Sequence, residues 1–112
     1  MEKIGIEIPI PQETIKVARS VRRWVLKHNG NSGGMCYDAS LEILARIGWP
    51  TKIIRGWFQT DEREMFHYWI EIGKNILDVT ADQFNYLLEK TKMRSIVFAK
   101  INSLTNFYKY KC

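Results

Sequence analysis

The 112-residue sequence is poor in cysteine, with two in all, Cys36 and the C-terminal Cys112. Two thiols cannot build the dense disulfide framework of a small secreted domain, and their pairing is not the expectation for a chain without a secretory signal. Long apolar runs are also missing, and none approaches the roughly 20 residues that span a bilayer. Residues 1–11 interleave Glu2, Lys3 and Glu7 with isoleucines, so they lack the unbroken apolar stretch of a signal peptide. A cytoplasmic protein with no membrane association is expected. Proline is scarce, at three, and there is no repeat, low-complexity segment or linker, which predicts a single domain over 1–112.

Acidic residues stop at Glu89. Residues 90–112 hold six Lys/Arg and no acid (+6), residues 1–35 carry +3, and residues 36–89 carry −4, for a net +5. Such basic ends suit an anionic partner, nucleic acid or acidic protein. No zinc-finger spacing, recognition-helix motif or aromatic nucleic-acid motif accompanies them, so nucleic-acid binding is not the favoured reading. Solvated lysines on helix faces account for the charge more simply.

What is present is globular: 46% hydrophobic residues and 12% aromatics. From Gln12 to His28, Ile15, Ala18, Val21 and Val25 recur at spacings of three and four, predicting an amphipathic helix that ends at Asn29-Gly30. A Gly-rich loop over 29–35 leads into a second helix, from Cys36 to Ile47. Gly48 is expected to form its left-handed cap, with Pro50 beyond. Three strand signals follow, over Thr51–Gln59, Met65–Ile72 and Asn75–Thr80, the last two joined through Gly73-Lys74 in a type II′ turn. A third helix is predicted from Ala81, with Phe84, Leu87, Leu88 and Thr91 on one face, then a short strand over Ser95–Lys100. Residues 104–112 receive no assignment. This order predicts an α+β fold with an antiparallel sheet.

Cys36 stands at the predicted start of a helix, after Gly33 and Gly34. Helix N-terminal partial charge lowers a thiol's pKa, and the free N–H groups there stabilise an oxyanion. Asp38, two residues on, opposes thiolate formation unless it points away. His67 falls within one strand of the hairpin and Asp78 within the other. With Ile72 and Asn75 flanking a two-residue turn, Trp69 lies opposite Asp78, and His67 becomes its diagonal neighbour on the same face. A one-residue slip would separate them. The roles follow: Cys36 as nucleophile, His67 as base, Asp78 as the acid that orients the imidazole. Each residue alone is better read as structural, with Cys36 and His67 as core or surface residues and Asp78 as a cap. A zinc site from Cys36, His67, Asp78 and His28 lacks the paired ligand spacing of zinc motifs. No metal or cofactor is required.

Residues 33–84 resemble the transglutaminase-like branch of the papain-like cysteine protease superfamily. The resemblance rests on Gly-Gly-Met-Cys-Tyr-Asp-Ala-Ser (33–40), Leu-Ala-Arg-Ile-Gly (44–48), His-Tyr-Trp-Ile-Glu-Ile (67–72) and Leu-Asp-Val-Thr-Ala-Asp-Gln-Phe (77–84). The stretch is also similar to arylamine N-acetyltransferases and to leader proteases of lasso peptides. It covers about half the chain and implies a papain-like core in which Cys36, His67 and Asp78 act on a peptide, protein or small amide or amine. The chain departs from the pattern in being short, in having Tyr37 where Trp often follows the Cys, and in lacking a Gln shortly before Cys36. Gly34, Met35 and Asn31 (or Asn29) are therefore candidates for the oxyanion site. Trp69 and Gln83 are candidates for substrate contact, with sheet packing and local capping as their simpler roles. Glu71 is expected to be a solvent-facing charge. The rival reading is an inactive module that binds an anionic partner through its basic ends.

Overall fold

A computed structural model of the chain describes residues 2–48 and 50–110. Cys112 lies outside these residues, and with it the disulfide to Cys36 that the sequence does not favour. Helix α1 spans Gln12–Asn29 and buries Ile15, Ala18, Val21 and Val25. Gly30, at φ 79°, closes it by donating its N–H to the Leu26 carbonyl at 2.8 Å. Helix α2 spans Cys36–Ile47 and buries Ala39, Ser40 and Ile43. Gly48 ends it at φ 74° and ψ −155°. That is a glycine-only region, but not the left-handed helical cap expected there.

The strands are β1 (Glu2–Ile6), β2 (Thr51–Gln59), β3 (Glu64–Ile72), β4 (Asn75–Asp78), β5 (Thr91–Lys100) and β6 (Tyr108–Tyr110). They form one sheet in the order β1-β5-β4-β3-β2-β6. Every pairing is antiparallel except β1 with β5, so the sheet is mixed rather than antiparallel throughout. The hairpin has the expected register, with Ile72 opposite Asn75 and Ile70 opposite Leu77. Gly73 has φ 63° while no described non-glycine residue has positive φ, which makes the turn type II′.

Three expectations need correction. The third helix is a 3-10 helix, Ala81–Leu87, and Thr91 belongs to β5. Asn85 explains the break: its side chain accepts from the Met93 N–H at 2.7 Å and donates to the Met93 carbonyl at 2.8 Å, drawing the chain into a ten-residue β5 that begins at Thr91 rather than Ser95. Strand β4 stops at Asp78, two residues early, because the Asp78 carboxylate takes the Thr80 N–H and bends the chain. The segments around β1 and β6, unassigned from sequence, are the two edges of the sheet.

Apolar residues fill both faces. On one, α1 and α2 pack over Ile70, Leu77, Val79 and Phe98. On the other, Phe58, Trp69, Phe84, Val97 and Tyr108 form a second core. Strand alternation sends His67, Trp69 and Glu71 to this second face, and Tyr68 and Ile70 to the helix face. No described helix is long and apolar enough to cross a membrane.

Candidate active site

The hairpin register brings His67 and Asp78 together. His67 Nε2 lies 2.6 Å from Asp78 Oδ2, with both side chains buried. The second oxygen, Oδ1, accepts from the Thr80 N–H at 2.9 Å and the Thr80 hydroxyl at 3.2 Å. Oδ2 also accepts from the Tyr108 hydroxyl at 2.8 Å. Burial by itself would push the Asp78 carboxyl up. The His67 charge and hydrogen bond, the Thr80 N–H and the Tyr108 hydroxyl outweigh it and hold the group below its ordinary value. Burial and the Asp78 charge push the Tyr108 phenol well above its ordinary value, so it stays a donor.

Cys36 opens α2, whose N-cap residue makes no side-chain hydrogen bond, so no cap claims the first N–H groups of the helix that the thiol begins. The half-buried sulfur reaches the edge of β3. Even-numbered residues of β3 direct their backbone groups toward β4, because Ile72 and Asn75 close the hairpin turn. Beyond the end of β4 the Tyr68 N–H has no strand partner on that side, and it lies near enough to the Cys36 sulfur to favour its thiolate.

The imidazole nitrogen that Asp78 leaves over, Nδ1, is buried and makes no hydrogen bond of good geometry. The thiol and ring nevertheless sit close enough to shift each other, a contact looser than a closed hydrogen bond. Burial would push the thiol up; hydrogen bonding to and charge on His67, then the Tyr68 N–H, overcome this and the opposing Asp78 charge, leaving Cys36 below its ordinary value. Burial would push His67 down; Asp78, and after it Cys36, raise it to about 9. Asp38 is exposed and takes no part in the balance. The arrangement favours a thiolate beside an imidazolium, next to unclaimed helix N–H groups.

No family model matches this chain, and no curated protein or solved structure matches it.

The remaining predicted residues divide. Gly34, at φ 74°, donates its N–H to Gln83 Oε1 at 3.1 Å, and Gln83 donates to the Thr80 hydroxyl at 3.3 Å. Gln83 thus braces the loop before the thiol against the residue that holds Asp78. Met35 precedes α2 and packs against the helix-side core. Asn31 Oδ1 accepts the Gly33 N–H at 2.8 Å and so shapes the loop before the thiol. Trp69 is 1% exposed, so it packs behind His67 and is not a substrate contact. Glu71 is buried and accepts the Tyr110 hydroxyl at 2.5 Å, against the expectation of a solvent-facing charge. His28 bonds the Trp24 carbonyl, away from the other proposed ligands, and no metal-holding cluster occurs among the described residues.

Sequence reasoning missed Tyr108, Arg22 and Ser32. Arg22 grips both Asp82 oxygens, at 2.7 and 2.6 Å, and the Val79 carbonyl at 2.8 Å, while Ser32 donates to Asp82 at 2.8 Å. This ties α1, the loop before Cys36 and the chain after Asp78 into one frame. The one legible sign was Asp82 and Gln83 following Asp78 so closely; nothing local marks Tyr108.

Proposed function

We propose that this protein is a thiol-dependent hydrolase or acyl-transferase that acts on an amide, in a peptide or on a side chain, through Cys36, His67 and Asp78. One observation carries the reading: a half-buried thiol, held at a helix N-terminus, faces an imidazole whose far nitrogen is locked 2.6 Å from a buried carboxylate. The order of a Cys-bearing helix, a His strand and an Asp strand supports a transglutaminase-like or papain-like core. The expected substrate is a peptide, a protein or a small amide or amine, and a free thiol calls for a reducing compartment such as the cytoplasm.

The thiolate attacks the substrate carbonyl carbon, and the C=O electron pair moves onto oxygen. The N–H groups at the start of α2 stabilise that oxyanion. His67, protonated on Nδ1, gives its proton to the departing amine as the C–N bond breaks, leaving a thioester on Cys36. An incoming water then yields a proton to Nδ1 and attacks the thioester, restoring the thiolate and releasing an acid. An amine entering in place of water completes transfer. Asp78 holds the ring oriented throughout and keeps its own charge.

p-Nitrophenyl acetate tests the covalent step. The expected result is a burst of nitrophenolate stoichiometric with protein and an acetyl group on the Cys36 peptide. Cys36→Ser abolishes both, and His67→Ala slows the burst on the order of a hundredfold. Acylation no faster than that of a free cysteine peptide would sink the proposal.

A further inference from the structure

Cys36 lines neither of two cavities, of 560 and 370 Å³, although the smaller one borders Gly33 of the loop before it, and Gln83. Cys36 stands at the start of α2, with Tyr37 next to it in the chain. From Tyr37 a row of rings runs along the helix-side face of β3 and β2. Tyr37, the residue after the thiol and 47% exposed, leans on Tyr68 in a tilted ring contact with centroids 4.7 Å apart. Two residues further along β3, Phe66 is 50% exposed and stacks on Trp57 at 4.1 Å. Arg55, the cross-strand partner of Tyr68, is exposed and lays its guanidinium over the Phe66 ring at 5.0 Å. Among the described residues no carboxylate lies within ion-pair distance of Arg55.

We infer that this ledge of Tyr37, Tyr68, Phe66 and Trp57, with Arg55 at its centre, is the substrate-binding surface, and that it selects an extended peptide carrying an acidic residue and then an aromatic one. The inference rests on the thiol reading above and specifies its substrate. Continuity decides the occupant: Tyr37 follows Cys36 directly and meets Tyr68, so the rings begin beside the thiol. Spacing sets the order. Arg55 lies one strand over from Tyr68, about 5 Å away, and an extended chain rises about 3.3 Å per residue, so the acidic side chain falls one or two residues from the reacting carbonyl. Phe66 and Trp57 lie one step beyond, and the exposed edge of this ring pair offers edge-to-face contact to an aromatic residue.

Three peptidyl chloromethyl ketones test this: Phe-Asp-Gly, Phe-Lys-Gly and Ala-Asp-Gly. Each alkylation rate at Cys36 is divided by that of iodoacetamide, which needs no docking surface. The Phe-Asp reagent is expected to exceed Phe-Lys by about threefold to fivefold, the scale of an exposed ion pair, and Ala-Asp by about fivefold, the scale of one aromatic contact. Arg55→Glu should reverse the Asp-over-Lys order and keep the preference for Phe. Equal ratios for all three reagents, or an order that Arg55→Glu leaves alone, overturns the inference while the nucleophile stands. An iodoacetamide rate no higher than that of a free thiol brings down the thiol reading itself, and this inference with it.

Discussion

Asp78 accepts four hydrogen bonds, so its charge is fully engaged, and each donor has a separate consequence. Tyr108→Phe keeps the ring packing and removes one donor to a buried carboxylate, which should cost about 2 kcal/mol. A carboxyl held below its ordinary value adds stability that is present above the unfolded pKa and is lost as pH falls through the folded one. Losing the phenol raises the folded value, so acid unfolding of the variant should begin at higher pH, read as the urea midpoint between pH 7 and 3. An unchanged acid limb would show that Tyr108 only packs. His67 has the opposite sign. Its pKa, raised from 6.5 to about 9, contributes stability that is full below pH 6.5 and disappears as pH rises toward 9. The lowered thiol opposes this in the same range, so Cys36→Ser isolates it. That variant should lose on the order of 2 kcal/mol between pH 6 and 9.5, and Cys36→Ser with His67→Gln should be flat. Parallel curves for the two would contradict the His67–Asp78 ion pair.

At the scale of elements, periodicity and turn chemistry made α1, α2, β2 and the β3–β4 hairpin legible, because each is written in neighbouring residues. The hairpin register alone was enough to place His67 against Asp78. Ala81–Leu87 was misjudged for a reason of the same kind. Its apolar spacing is helical, but Asp82, Gln83 and Asn85 spend their side chains on Arg22, Gly34 and Met93 in other elements, and the turn tightens to 3-10. Gly56 is another tertiary demand. It lies opposite His67, where an added Cβ would overlap both the Trp69 ring and the Lys109 carbonyl of β6. Gly56→Ala should therefore destabilise the protein by about 1–3 kcal/mol, with an altered near-UV spectrum as Trp69 moves. A variant as stable as the parent would mean that β6 and Trp69 are not clamped over β2.

For the molecule as a whole, the site depends on parts distant in sequence. β6 brings Tyr108 from 30 residues beyond Asp78, and α1 brings Arg22 from 60 residues before Asp82. Edge strands as short as β1 and β6, five and three residues long, carry too little periodicity to be read alone, so these contributors stayed hidden while the three central residues did not. The central claim is that the fold converts Cys36 into an activated nucleophile. Its most direct test is the rate of iodoacetamide alkylation against pH in a Cys112→Ser background, with His67→Ala alongside. The account predicts alkylation that persists well below the pH near 8.5 where a free thiol titrates, with His67→Ala moving the midpoint back up. A normal titration indifferent to His67, or a thiol that reacts only after unfolding, would contradict it.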